Sequence, residues 1–220
     1  MIPSVAPKDR TFFKQVKATI PCLATRAITF FAAADGNNTA HGSRGADLFY
    51  FGDGDNIMYG GQGMGIFMAG DGNNRAHGGA DRDLFILGDG NNTVHTGNGM
   101  NIVMTGKGND MIYGGSGWDY IYTGAGDDTI HAGQGNDVIS AGTGNNIVHI
   151  GSGANKLILD KGEGSTTVWN FNANDSISLG ATAKKTDSIT TQLSGLDTQI
   201  FAGGDLLATL LNTQGNIQIV

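Results

Sequence analysis

The sequence predicts an all-β solenoid, and three observations carry the prediction. Glycine recurs every nine residues through the middle of the chain, an apolar residue recurs on the same period, and the acids are almost all aspartate, the short carboxylate of turns. Of 220 residues, 37 are glycine; 20 acids face 13 basic residues for a net charge of -7, and Glu163 is the only glutamate. That balance argues against nucleic acid as a partner and, with so few long acids, against long helices. Glycine without a three-residue period excludes collagen, and 39% hydrophobic content excludes a disordered linker.

Residues 1 to 32 precede the period and read as an N-terminal cap or arm. Within residues 10 to 33 the apolar positions Phe13, Val16, Ile20, Ala24, Ala27 and Phe31 follow a broken helical spacing with basic residues between them. Lys14, Lys17, Pro21 and Arg26 interrupt the apolar stretch, which argues against a transmembrane segment and a cleavable signal peptide. Cys22 is the single cysteine, so no internal disulfide forms and the thiol reads as inert.

From Ala33 to Thr167 the chain aligns in fifteen nine-residue units, among them TGKGNDMIY (105 to 113), GGSGWDYIY (114 to 122), TGAGDDTIH (123 to 131) and AGQGNDVIS (132 to 140). Position 4 is Gly in every unit except the one holding Asp81, position 2 is Gly in twelve of fifteen, and position 8 is apolar in all but the last. A turn therefore alternates with a short strand. The pattern resembles the RTX, or hemolysin-type, calcium-binding nonapeptide GGxGxDxUx. The resemblance implies a right-handed parallel β-roll with two nonapeptides per coil, so that residues 18 apart lie about 4.8 Å apart. Position 8 supports that coil independently: Phe49, Phe67 and Phe85 in even units oppose Ala40, Met58 and Ala76 in odd ones, and medium residues meet farther on, which keeps the core volume constant.

Calcium, the cofactor the resemblance implies, takes six or more oxygens, and a glycine turn aims carbonyls inward while Asp at position 6 adds charge. Only two stacked neighbours are both Asp: Asp110 with Asp128, and Asp119 with Asp137. By resemblance the carbonyls of Gly106, Gly108, Gly124 and Gly126 join the first pair and those of Gly115, Gly117, Gly133 and Gly135 the second. Asp47 and Asp83 are single-Asp candidates. In units 1 to 8 position 6 is largely Asn, which has an acceptor but no charge, and reads as a hydrogen-bonded ladder that holds turns without metal. The column Asp35, Asp53, Asp71 and Asp89 reads as solvated.

Positions 7 and 9 point outward. On the even face they are Leu48, Tyr50, Ile66, Met68, Leu84, Ile86, Ile102, Met104, Tyr120 and Tyr122, an apolar patch large enough to need a cover. Residues 10 to 33 are one candidate cover; self-association with a second copy is the other and the one favoured here. Met64, Met100 and Trp118 line its rim. The odd face carries every histidine, His41, His77, His95, His131 and His149, in one column with Tyr59 and Tyr113. It reads as a solvated or self-stacking aromatic ladder, since two imidazoles alone make an incomplete zinc or copper site.

Residues 168 to 220 read as short strands and turns that cap the roll. They resemble the closing region of type I secreted RTX proteins through Trp169, Phe171, Asp175, Ile177, Leu179 and Gly204 to Leu211, which implies an uncleaved export signal. The sequence carries no HExxH or GxSxG, so an enzyme is not expected. The expected function is a secreted or cell-surface calcium-binding β-roll with a structural or self-assembling role. The alternatives are an extracellular binding module for polysaccharide or protein, and an accessory domain of a secreted RTX enzyme.

Overall fold

Glycine turns separated by only three to five residues of strand leave no room for anything but a tight coil. The structure, a computed structural model, describes residues 28–182, 187–214 and 217–220, together with the backbone of 11–14 and 19–21. Among these residues every element is a β-strand. As far as Ser176–Leu179 successive strands alternate between an 11-stranded and a 12-stranded sheet, so each coil contributes one strand to either sheet. No helix among the described residues is long and apolar enough to cross a membrane.

Within the roll all pairing is parallel and strand partners lie 18 residues apart, as in Phe67 with Phe85, Ile102 with Tyr120 and Thr129 with Ile147. The eighteen-residue coil inferred from position 8 is thus the coil that forms. Position 8 is fully buried from Ala40 and Phe49 through Val148 and Leu157. On the even side Phe31, Phe49, Phe67 and Phe85 stack with centroids 4.8, 4.8 and 4.6 Å apart, the spacing of the strands that carry them. Ala40, Met58 and Ala76 fill the space opposite, and from Val94 onward valine and isoleucine meet across the core.

Two expectations need correction. The helical spacing across residues 10 to 33 does not make a helix, because that stretch contains the strands Thr11–Lys14, Thr19–Pro21 and Thr29–Ala33. Val16, Cys22, Ala24 and Ala27 lie outside the described residues. Thr11 pairs with Thr29 and Thr29 with Asp47, so the rungs continue ahead of Ala33 where the glycine signal is missing, at 18 residues in this sheet and at 20 in the other, where Thr19 pairs with Thr39. At the other end the register slips in both sheets. Asn146 pairs with Thr166 and Lys156 with Ser176, a step of twenty rather than eighteen. Asp160 stands there in place of the position-2 glycine and is tied by Ser140 and Thr182 hydroxyls, and the wider turn absorbs two residues. Val168, not Thr166, consequently takes the core position beside Val148.

The last rungs are built differently. Asp205–Leu210 continues the 12-stranded sheet in parallel beside Thr166–Trp169, then Asp197–Ala202 and Ile189–Ser194 add on antiparallel. Gln218–Ile219 closes the other sheet beside Ser176–Leu179. Phe171, Ile177, Leu207 and Leu210 are buried here, whereas Trp169, expected among the capping residues, is 41% exposed. An open coil would leave two unpaired strand edges, and this antiparallel appendage pairs with one of them, ending the parallel stack.

Removing one ring from the phenylalanine stack tests the coil directly. Phe67→Ala leaves a void between two unmoving neighbours and is expected to cost about 3–5 kcal/mol, read as a lowered urea midpoint at saturating calcium. An unchanged midpoint would mean that the rings do not share one column.

Candidate calcium sites

Each turn presents three inward groups: the carbonyls of positions 2 and 4 and the side chain of position 6. Position 4 holds the left-handed backbone that only glycine adopts freely, with φ of 126° at Gly108 and 143° at Gly126. A Cβ on Gly126 would also run into the Gly108 carbonyl of the coil before it, so glycine is needed twice over. Position 6 follows and is buried throughout: Asp47, Asp83, Asp110, Asp119, Asp128 and Asp137 are each 3% exposed or less.

The expected pairs come together. The Asp110 amide donates to Asp128 Oδ1 at 2.8 Å, and the Asp119 amide to Asp137 Oδ1 at 2.9 Å. One carboxylate oxygen of each residue is spoken for, since Oδ1 of Asp110 and of Asp119 accepts the amides of Asn92 and Asn101 in the same way. The other oxygen, Oδ2 of Asp110, Asp119, Asp128, Asp137 and also Asp83, is buried without a well-formed hydrogen bond, the Thr105 and Thr123 hydroxyls lying near enough to Asp110 and Asp128 to offset part of the burial. Burial pushes Asp83 and Asp119 up to about 7 and Asp128 and Asp137 up to about 6, and it raises Asp110 as well. Buried carboxylates with a vacant oxygen demand a proton or a cation. At Asp47 the bare oxygen is Oδ1; Ser43 donates to its Oδ2 at 3.1 Å, Thr29 also bonds the carboxylate, and burial raises its pKa too. No group of three or more His, Cys, Asp or Glu converges among the described residues, so an ion here must draw most of its ligands from carbonyls, as calcium does.

Asparagine turns show where those carbonyls point. Asn56 Nδ2 donates to the Gly52 and Gly54 carbonyls at 3.3 and 2.9 Å and to Asn74 Oδ1 at 2.9 Å; Asn38, Asn74 and Asn92 repeat the arrangement. By register the same three oxygens around Asp110 are those of Gly106, Gly108 and Asp128. On the even edge Asn101 Nδ2 reaches the Gly99 carbonyl at 3.2 Å, which marks Gly117 and Gly135 as the counterparts beside Asp119 and Asp137. The carbonyls of Gly115, Gly124 and Gly133 already accept amide hydrogens from Gln134, Thr143 and Ser152 and have one lone pair left to offer. The Asn ladder read from units 1 to 8 is therefore present. The Asp35 column is largely exposed but not merely solvated: Asp35, Asp53, Asp71 and Asp89 each accept a backbone N–H from the next coil at 2.8–3.0 Å.

Sequence reasoning missed one member of the even column. Asp175 lies under Asn155 and accepts its amide and side-chain N–H at 2.9 and 3.0 Å, and Asn172 satisfies its other oxygen. The twenty-residue step hid it; its signal was the repeated Asp-x-Ile pattern of Asp175 and Ile177.

The histidine column is a continuous stack from His41 through Tyr59, His77, His95, Tyr113, His131 and His149 to Trp169, with centroids 4.4–5.8 Å apart. Its rings turn their faces to one another and only their edges to solvent. His131 and His149 are 3° from parallel, so their lone pairs run side by side rather than converge on a metal. Burial lowers the pKa of His77, His95 and His131, helped by Arg75 at the first two and by a neighbouring imidazole at His77 and His131. On the other face, Tyr50, Ile86, Met104 and Tyr120 are 55%, 37%, 46% and 36% exposed, and Leu48, Ile66, Met68, Leu84, Ile102 and Tyr122 are half-buried beside them. The strand Thr29–Ala33 extends this sheet by a rung instead of lying over it, so none of the described residues covers the patch.

A stack of glycine turns with paired buried carboxylates defines a calcium-binding solenoid. The RTX calcium-binding nonapeptide repeat model matches residues 33–63, 59–94, 68–103, 95–130 and 122–157, and the chain belongs to this family, whose repeats bind calcium. No curated protein matches the chain. Among solved structures, the extracellular lipase LipA from Serratia marcescens is similar at 16% identity and a TM-score of 0.41, over 90% of this chain and 40% of the lipase. The chain thus spans less than half of that protein's length, and the likeness carries no argument about activity.

In calcium-free buffer the buried carboxylates give stability a definite slope. Their folded pKa values, raised from 3.8 to about 6 or 7, exceed those of the unfolded chain, so the folded state holds more protons in that window and loses stability as pH rises from about 4 to 7. The histidines, with lowered values, slope the other way, so the comparison is with a variant. Asp119→Asn with Asp137→Asn is expected to remove part of the fall, seen as a flatter melting temperature against pH in chelator; an identical profile would show these groups to be ordinary surface acids.

Proposed function

We propose that this chain is a secreted or cell-surface β-roll that folds on calcium bound between Asp110 and Asp128 and between Asp119 and Asp137, and then self-associates through its even face in a structural role. The supporting observation is the apolar face itself: ten large apolar side chains run in two columns from Leu48 to Tyr122, and the described part of the chain leaves them open. A patch of that size on a flat, regular sheet favours a second copy, because identical columns at one strand spacing are self-complementary. Calcium couples assembly to location. Where the ion is scarce the buried carboxylates oppose folding, and where it is abundant their charge is met. Residues 168 to 220 would then serve as cap and export signal together.

Two measurements test this reading. Light scattering should report large particles in millimolar calcium and none in chelator, and Met104→Glu with Tyr120→Glu should keep calcium-dependent circular dichroism while abolishing the particles. A parent chain that stays monomeric in calcium would instead favour a binding module. For the ion sites, Asp110→Ala with Asp128→Ala is expected to lose about one bound calcium per chain and to weaken calcium-dependent folding by orders of magnitude, as ligand charge sets affinity; an unchanged titration would remove these residues from the site.

A further inference from the structure

Four of the inter-turn positions on the odd edge are already filled. The Nδ2 of Asn38, Asn56, Asn74 and Asn92 sits among the carbonyls of positions 2 and 4 of its own turn and the position-6 oxygen of the next coil, at 2.7–3.3 Å. These oxygens are the ones that, one coil farther on, surround the unpartnered Oδ2 of Asp110. An amide nitrogen carries two hydrogens and a partial positive charge; it answers the oxygens from within the chain and leaves a cation neither room nor charge.

We infer that the asparagine amide is a built-in substitute for calcium on the odd edge, and that residues 29–97 form a scaffold whose odd edge holds its coils without metal. The buried Asp47 and Asp83 of its even edge are met by a proton when calcium is absent. The scaffold would template the Asp-bearing coils of residues 105–140. This rests on the proposed calcium sites only for its second half.

Three independent ladders end at that boundary. The phenylalanine stack stops at Phe85, the amide ladder stops at Asn92, and the Asp35 column ends where the Lys107 amide donates to Asp89. Beyond it come both Asp pairs, Asp110 with Asp128 and Asp119 with Asp137, around a core of valine and isoleucine. The joint is one shared atom: Asp110 Oδ1 accepts both the backbone and side-chain N–H of Asn92, at 2.7 and 3.0 Å. The last metal-free turn therefore orients the first carboxylate of the metal-dependent part, and in a one-dimensional stack a formed coil lowers the cost of adding the next.

Hydrogen exchange on the intact chain in chelator is the direct test. The strands Ile57–Gly61, Arg75–Gly79 and Thr93–Gly97 should exchange at least about tenfold more slowly than Met111–Tyr113 and Thr129–His131, a difference that calcium erases. Equal exchange across the boundary in chelator overturns the inference and needs no variant. Asn56→Asp with Asn74→Asp should strip that protection in chelator and restore it in calcium with about one more ion bound per chain, since an oxygen replaces the amide in the same cradle. Retained protection in chelator would equally overturn it. If instead Asp110→Asn with Asp128→Asn leaves calcium stoichiometry unchanged, the proposed ion sites fail while the exchange contrast still stands or falls by itself.

Discussion

Every side chain in this roll has a copy of its own position about 4.8 Å above and below it, and the rest of the structure answers to that constraint. Stacking like on like rewards some residue types and penalises others. Apolar groups gain, as the phenylalanine column shows with rings held at the spacing of their strands. Amides gain because each is donor and acceptor at once, and the Asn column closes on itself from Asn38 to Asn92. Carboxylates lose, for each brings a charge and no hydrogen. Asp128 over Asp110 lends one oxygen to a backbone amide and keeps the other bare. Calcium at the proposed Asp pairs would thus resolve a stacking conflict, and residue choice at position 6 decides coil by coil whether the conflict exists.

How much of this was legible in the sequence depends on whether the period held. Through residues 39 to 158 it did, and the core column, both Asp pairs and the amide ladder all follow from counting in eighteens. Where the glycines stop, the count fails in two different ways. Ahead of Ala33 the rungs continue, with a twenty-residue step from Ile20 to Ala40, but Phe13 and Ile20 sit in strands whose spacing also fits a broken helix, and short apolar runs do not discriminate the two. After Leu159 the strands persist with two extra residues in the coil, so Val168 and Asp175 occupy the positions that strict counting assigns to Thr166 and Ala173. Turn width is set by tertiary ties such as Asp160 to Thr182, which no local pattern announces.

The same constraint separates the outer faces from the turns. Acids congregate on the turn edges, where backbone amides of the next coil can be offered to them, as with Asp53 and Asp71. The sheet faces carry few charges, Arg75 on one and Lys156 on the other, and are otherwise rings edge-out on one side and aliphatic and tyrosyl side chains on the other. The histidine ladder satisfies itself by stacking along the roll, so its contribution is to stiffness before it is to binding. The even face has no comparable internal solution, because Leu48, Ile66, Leu84 and Ile102 leave their outward surface to solvent or to a partner.

Placing amides in one half and carboxylates in the other changes what calcium does to the chain. A uniform array of Asp turns would gain every coil from the ion and would have none to start from, with nucleation bearing the full cost of closing a first coil. Here the larger aromatic core and the amide ladder lie together in the half whose odd edge needs no ion, and Asn92 hands Asp110 its geometry. Calcium then extends an existing stack, which asks of each ion only the cost of one more coil. The change from phenylalanine to isoleucine in the core and from Asn to Asp in the odd-edge turns falls at one boundary, and it divides coils whose odd edge side chains can hold alone from coils whose odd edge they cannot.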